Sequence, residues 1–378
     1  MATIEGYETK AGRRYMVRYR KPDRTTTKKR GFKTKRDANL FLASVEVDKA
    51  TGAFIDPALA NKTIAELGPS WLERKQGLKP SAYRPLEIAW RVHVEPVWGK
   101  FPISKIVFTD VQAWVTNLSI GDEKAKPAKK PKSATTVIRA YGVLAAILDD
   151  AVKDRRLQAN PARGVDLPRK SKKEHVFLSH EQVRDLADNS KYPALIRVLA
   201  YCGLRWGEVT GLRVQDVDMI RRRFNVNQNA VDVGGKIKVG TPKSHERRSV
   251  PFPEFLAPAI GEACKGKHRE DLVFPNPDGT YLRAISGGSG RGSWFLKAVQ
   301  RAGVPRVTPH DLRHTAASFA VSAGANVKAV QRMLGHSSAS MTLDVYAELF
   351  DDDLDGVAVA LNHVVSQMGV PKTCPNPA

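Results

Sequence analysis

The chain is poor in cysteine. Cys202, Cys264 and Cys374 are the only three in 378 residues, an odd number at wide spacing. No disulfide framework is expected, and a reducing compartment fits. Long apolar runs are missing too. None reaches the 18 residues that a membrane-spanning helix needs, and the best stretch, around residues 194–201, is broken by Arg197. The first ten residues hold Glu5 and Glu8 and no apolar core, unlike a secretory leader. Acidic residues are scarce: 39 Asp plus Glu stand against 61 Lys plus Arg, a net charge of +22. Such a surplus repels itself unless a polyanion lies near, so a nucleic acid or an anionic surface is the natural partner. What remains is ordinary globular material, 42% hydrophobic and 26% charged. Its length suits two or three domains.

The charge is not spread evenly. Residues 10–36 carry thirteen Lys or Arg and one acid, Asp23. Tyr15, Val17 and Tyr19 alternate with Arg14, Arg18 and Arg20, which predicts a half-buried strand with a basic face. Residues 21–24 read as a turn and residues 25–32, with Lys28, Lys29 and Arg30, as a second strand. A helix is expected from Thr34 to Gly52. A small sheet plus one helix makes a DNA-binding module of residues 1–60. Residues 61–168 read as helical, with helices expected from Thr63 and over 81–94, 109–118 and 135–152. Residues 121–132 read as a Lys-rich loop. A basic stretch at 168–173 separates this part from a mixed third segment, residues 169–378. There, residues 224–231 are expected as one strand, 236–239 and 248–252 as two more, and helices from 293 onward. An apolar helix is expected over 357–365. The fold class is therefore multidomain α+β: a small sheet-and-helix domain, a helical domain and a mixed, mainly helical domain.

Five pieces of the third segment carry chemistry. They are Gly203-Leu204-Arg205-Trp206-Gly207-Glu208, the stretch from Thr241 through Lys243 to Pro251, His310-Asp311-Leu312-Arg313-His314, Leu334-Gly335-His336, and Tyr346. Two guanidiniums, Arg205 and Arg313, can fork onto non-bridging phosphate oxygens and stabilise a pentacoordinate transition state. The phenol of Tyr346 can attack phosphorus and form a phosphoester. His310 can take its proton, Lys243 can protonate a leaving alkoxide, and His336 can add a hydrogen bond to the phosphate.

The order and spacing of these pieces resemble the tyrosine recombinase, or phage integrase, family, over residues 176–365. The resemblance implies that Tyr346 forms a 3′-phosphotyrosyl bond and frees a 5′-hydroxyl. It implies that Arg205, Arg313 and His336 hold the scissile phosphate, that Lys243 is the general acid, and that His310 is a general base or phosphate ligand. Glu208 and Asp311 become supporting residues. Lys236 and Lys238 share the hairpin with Lys243, which matches the Thr-Pro-Lys-Ser pattern best. Residues 1–60 and 61–168 resemble the family's arm-binding and core-binding domains. No cofactor, metal ion or ATP is implied. The implied partners are double-stranded DNA at core and arm sites, three further copies in a homotetramer, a host DNA-bending factor and an excisionase. The implied setting is the bacterial cytoplasm at the nucleoid, with no membrane.

Each residue alone has a blander reading, and only the ordered set outweighs it. His310 and His314, four apart on a helix, have the spacing of a zinc pair. Arg313 would repel a cation, however, and His314 reads better as a packed or hydrogen-bonded helix residue. The basic first segment favours an integrase of a mobile element such as a prophage. The alternatives are a DNA-binding regulator without strand transfer and a type IB topoisomerase.

Overall fold

The computed structural model describes residues 2–121, 130–171, 175–241, 248–283, 294–351, 361–363 and 365–366. The chain divides into two compact units, residues 1–172 and 173–378.

The first unit opens with a three-stranded antiparallel sheet in the order β1-β2-β3, made of β1 (Thr3–Thr9), β2 (Gly12–Arg20) and β3 (Thr26–Phe32). β1 is an addition to the expected pair. Its Ile4 pairs with Val17 on the core face, but Tyr7 pairs with Arg14 on the opposite face. Two apolar residues on opposite faces leave no period-two signal. β3 bulges at Gly31, which takes φ 97° and lets Tyr15 pair with Phe32 while Met16 pairs with Arg30. Helix α1 (Lys35–Thr51) covers one face. Thr34 caps it by accepting from the Asp37 N–H at 3.0 Å, and Gly52 ends it in the left-handed region. Val17, Tyr19, Ala38 and Val45 form the core, and the Tyr19 and Phe41 rings meet edge to face at 5.7 Å. Lys21 pairs with Asp56 at 2.6 Å, and Asp56 caps the short α2 (Pro57–Ala60).

Helices follow: α3 (Ile64–Glu73), α4 (Pro80–Ala89), a π-turn over Trp90–Val94, α5 (Glu95–Trp98), α6 (Phe108–Ile120) and α7 (Ala134–Lys153). Thr63 and Glu66 form a reciprocal capping box on α3, and Ser133 caps α7. Trp71, Trp90, Trp98 and Trp114 gather around the buried face of α7. The basic loop expected at 121–132 lies mostly outside the described residues.

The second unit begins with α8 (His180–Asp188), capped by Ser179, and the apolar α9 (Pro193–Cys202), followed by α10 (Trp206–Thr210). The single strand expected at 224–231 is two strands in two sheets. β4 (Val217–Asp218), β5 (Arg223–Val226) and β8 (Arg248–Pro251) form one antiparallel sheet in that order. β6 (Asn229–Val233) and β7 (Lys236–Gly240) form a separate hairpin through Gly234 and Gly235, both at positive φ. The break falls where Asn227 donates to Asp216 and Gln228 donates to the Gly211 carbonyl. Phe224, Val226 and Ala230 are buried, while the half-buried Gln228 occupies the inward position between them, where the sheet changes. Helix α11 (Ala257–Cys264) is also an addition. The unit closes with α12 (Trp294–Ala302), α13 (Pro309–Ser322), α14 (Val327–Leu334) and α15 (Ala339–Asp351). Most of the apolar helix expected at 357–365 lies outside the described residues; of its apolar side chains, Leu361 and Val365 are exposed.

Candidate active site

The last turn of α14 is the hub. A helix C-terminus leaves its final carbonyls without intrahelical donors. Here three guanidiniums supply them in sequence. Arg248 Nε donates to the Met333 carbonyl at 3.3 Å, Arg313 Nη2 to Leu334 at 2.5 Å, and Arg205 Nη2 to Gly335 at 2.9 Å. Arg313 Nη1 also donates to the Gly203 carbonyl at 2.5 Å, where α9 ends. Arg205 stands at the N-cap of α10 and Arg313 in the first turns of α13. The two guanidiniums predicted to share one phosphate, far apart in sequence, thus meet on adjacent carbonyls.

Cations near a helix C-terminus are favoured by its partial negative charge. Arg313 is 2% exposed. Burial first, and the Arg205 charge second, push its pKa below the usual arginine value, although Glu208 opposes this. Glu208 is itself 2% exposed. Burial alone would raise its carboxyl, but the hydrogen bonds and charge of Arg248, with the charge of Arg205, win and hold it below the usual carboxylate range.

His336 follows this turn. Its Nδ1 is 3.0 Å from the hydroxyl of the buried Thr342, and its carbonyl accepts from Gln331 Nε2. Burial and then the Arg313, Arg205 and Arg248 charges lower its pKa to about 4, so the ring is neutral near neutral pH. Asp311 completes a capping box with Thr308, accepting from the Thr308 N–H and hydroxyl at 2.8 Å each. It therefore anchors the start of α13 and with it His310 and Arg313. His310 is exposed at the rim, and its pKa is lowered by desolvation first and Arg313 second.

Tyr346 lies on α15 and is 1% exposed, packed among Ala317, Val321, Val330 and Leu334. Its phenol oxygen is 2.7 Å from Nδ1 of His314, one residue beyond Arg313. Burial raises the phenol to about 12, against a lowering by Arg313. Burial and then His310 and His175 lower His314 to about 3. The three imidazoles gather, His175 to His314 at 4.1 Å and His310 to His314 at 4.8 Å between ring centres. The zinc spacing of His310 and His314 thus serves a different end: His314 holds the phenol. Among the described residues no group of three His, Cys, Asp or Glu is arranged to hold a metal ion.

Lys243 lies outside the described residues, while Lys236 and Lys238 are on β7. Sequence reasoning passed over two residues here. Arg248 sits at the start of β8, where Arg247 beside it and the nearby lysines hide it in a basic run. His314 reads as a packed or hydrogen-bonded helix residue, and the structure makes it hydrogen-bonded, but nothing in the sequence says that its partner is Tyr346.

A second basic surface lies in the first unit. The register puts Arg14, Arg18 and Arg20 of β2 on the same face as Lys28 and Arg30 of β3, opposite α1. Arg30 lies over the Tyr7 ring at 6.0 Å. Lys29 departs from the expected grouping. It pairs with Val17 on the helix-covered face, and its amine sits 4.3 Å from the centre of the Phe41 ring. The strand's period of two separates it from its neighbours. No helix among the described residues is long and apolar enough to cross a membrane.

Residues 176–352 match the model of the phage integrase family. A protein of Mycobacterium tuberculosis (strain CDC 1551 / Oshkosh), named for the integrase of its prophage phiRv2, is 28% identical over 346 residues, 87% of this chain and 88% of that protein. Among solved structures, the Tn1549 transposon integrase (residues 82–397) in complex with circular intermediate DNA aligns with a TM-score of 0.61 at 23% identity. That alignment covers 75% of this chain and 95% of the other. A lambda integrase tetramer bound to a Holliday junction aligns with a TM-score of 0.56 at 15% identity, covering 88% and 96%.

Proposed function

The chain belongs to the tyrosine recombinase, or phage integrase, family, and from that premise we propose a mechanism and a biological role for it as a site-specific DNA recombinase. The observation that carries the reading is the convergence of Arg205 and Arg313 on adjacent carbonyls beside His336. This is a preorganised, positively charged cradle on rigid backbone, the kind of site that stabilises charge developing on a phosphoryl group.

In the proposed reaction Tyr346 Oη attacks the scissile phosphorus, its proton passes to His310 acting as base, and the P–O5′ bond breaks. Lys243 supplies a proton to the departing 5′-oxygen. Arg205, Arg313 and His336 hold the non-bridging oxygens, and His310 serves as base or phosphate ligand. Glu208 and Asp311 support the arginines and the start of α13. The phosphotyrosyl bond stores the energy of the broken ester, so a 5′-hydroxyl from a partner duplex completes the exchange without ATP. Because Tyr346 is 1% exposed and bonded to His314, α15 shifts when DNA docks, so that the phenol meets the phosphate.

The proposed division of labour gives residues 1–60 to arm-type DNA, 61–168 to the core site and 169–378 to chemistry. The face with Arg14, Arg18, Arg20, Lys28 and Arg30 is the DNA-facing side of the sheet, since a β-ribbon fits the major groove. The working unit is a homotetramer that passes through a Holliday junction, assisted by a host bending factor and an excisionase. The biological role is integration and excision of a prophage or similar element at the bacterial nucleoid.

The test starts from duplexes selected by the full chain from a randomised library. A nicked version should trap a covalent adduct at a 3′ phosphate, and paired sites on one plasmid should recombine. Relaxation of supercoils without recombination between sites would favour a topoisomerase instead.

A further inference from the structure

We propose that Arg248 is a positioning residue: it saturates Glu208 so that Glu208 can orient Arg205 without absorbing it, and it pins the turn that carries His336. The inference rests on the recombinase reading and adds a residue to that site.

Glu208 is buried and cannot stay ionised there without partners. Its Oε1 accepts from Arg205 Nη1 at 3.0 Å and Arg248 Nη1 at 2.7 Å. Its Oε2 accepts from the Arg205 backbone N–H at 2.8 Å and Arg248 Nη2 at 2.6 Å. Arg248 therefore makes the two-pronged fork, and Arg205 gives Glu208 only one side-chain donor. A guanidinium has five N–H donors. Arg205 spends two on Glu208 and Gly335, and its side chain stays 25% exposed. Arg248 engages all three of its nitrogens on protein, two on Glu208 and Nε on Met333, and its side chain is 10% exposed. Its geometry is that of a holder, not of a phosphate ligand.

Without Arg248, the carboxylate would have a free edge next to Arg205. The strongest available arrangement would be a two-pronged Arg205–Glu208 pair, which withdraws donors from the phosphate. Met333 would also lose its carbonyl partner, two residues before Gly335. That glycine holds φ +65°, and a Cβ there would lie 2.9 Å from Arg248 Nε and 3.0 Å from its Cδ and Cζ. The turn before His336 thus rests directly on the Arg248 guanidinium.

Charge gives a readout that mere packing would not. Arg205 and Arg248 touch Glu208, and Arg313 lies beyond them. With Arg248 present, Glu208 stays ionised across the working pH range. Removing that cation leaves burial, which raises a carboxyl, opposed only by the two remaining arginines.

The experiment uses the full chain and nicked duplexes selected by the wild-type chain from a randomised library. Arg248→Met should bind the duplex within about twofold of wild type. Its single-turnover adduct formation should fall roughly 10–100-fold, by analogy with the loss of a partner that orients a metal ligand. Between pH 5 and 8 its rate should gain a rising limb, beyond any in the wild-type profile, as Glu208 ionises. Glu208→Gln in the same chain should abolish the limb. Arg248→Lys keeps the charge but not the fork, so it should be slowed without the limb. A folded Arg248→Met chain with wild-type rate and pH profile overturns the proposal. If Arg248→Met fails to fold, Arg248→Lys decides: slower cleavage at equal binding supports it, and wild-type cleavage overturns it. Absence of any adduct in the wild-type chain overturns the recombinase reading and this inference with it.

Discussion

Arg313 and Arg18 are the same residue type in two opposite settings. Arg313 is 2% exposed, fixed on two carbonyls at a helix end and beside two other guanidiniums. Arg18 is exposed on a sheet face with Arg20, Lys28 and Arg30. In the pocket, low dielectric makes each charge strong and the backbone fixes its direction, an arrangement suited to the one phosphate geometry that the proposed reaction needs. On the sheet, water and salt screen each charge, so the proposed hold on DNA would grow with the number of phosphates met. One arrangement suits chemistry and the other suits grip.

The largest effect that tests this contrast is on the pocket. Arg205→Gln should cut single-turnover cleavage of a selected duplex by roughly 10²–10³-fold, the cost of one preorganised donor to a developing anion. Binding measured by gel shift should change far less. An Arg205→Gln chain that cleaves normally would remove the pocket from the chemistry.

Next comes the sheet. Replacing Arg18, Arg20, Lys28 and Arg30 together by Gln should flatten the slope of log affinity against log salt by about 0.9 for each phosphate that is no longer neutralised. Cleavage of a short duplex bearing only the core site should be spared. An unchanged slope with full-length DNA would show that this face does not meet phosphates.

A third, smaller effect is on stability against pH. His314 and His336 are held near 3 and 4 in the folded chain, below the ordinary histidine value of 6.5. Protonation therefore favours the unfolded chain. Their contribution is complete above pH 6.5 and is lost as pH falls from there toward 4. The thermal midpoint of the DNA-free chain should drop on acidification from about pH 7 to about pH 5, and His336→Gln should lessen the drop. A midpoint that is flat or rises over that range would contradict the neutral, desolvated rings.

The smallest effect separates neighbours. Lys29→Gln should leave the salt slope nearly unchanged but weaken the fold by about 0.5–1 kcal/mol, the attraction of an amine for an aromatic face such as that of Phe41. Lys28→Gln should do the reverse. Equal slopes for both would erase the division of the sheet into two faces.

Much of this was legible in the residues. Thr63 with Glu66, Ser179 and Thr34 mark helix starts because their side chains satisfy local N–H groups, and such bonds need no knowledge of tertiary structure. The strand alternation of Tyr15, Val17 and Tyr19 against Arg14, Arg18 and Arg20 carried through to the register. What stayed hidden depends on partners distant in sequence. Residues 224–231 read as one alternating strand, yet polar Gln228 takes the inward position between Val226 and Ala230, and the side-chain bonds of Asn227 and Gln228 divide the stretch between two sheets. The cap on α14 draws on arginines from three separate elements, so no local pattern announces that Arg248 joins Arg205 and Arg313. The His314–Tyr346 bond spans 32 positions and needs α13 and α15 to pack before it exists.

The central claim is that Tyr346 is the residue that becomes joined to DNA. The direct measurement is to trap the adduct on a nicked selected duplex, digest both polymers and locate the nucleotide by mass spectrometry. The account predicts a 3′-phosphonucleotide on the peptide containing Tyr346, and no adduct from Tyr346→Phe under conditions where that variant still binds. A nucleotide on another tyrosine, or attachment through a 5′ phosphate, would contradict it.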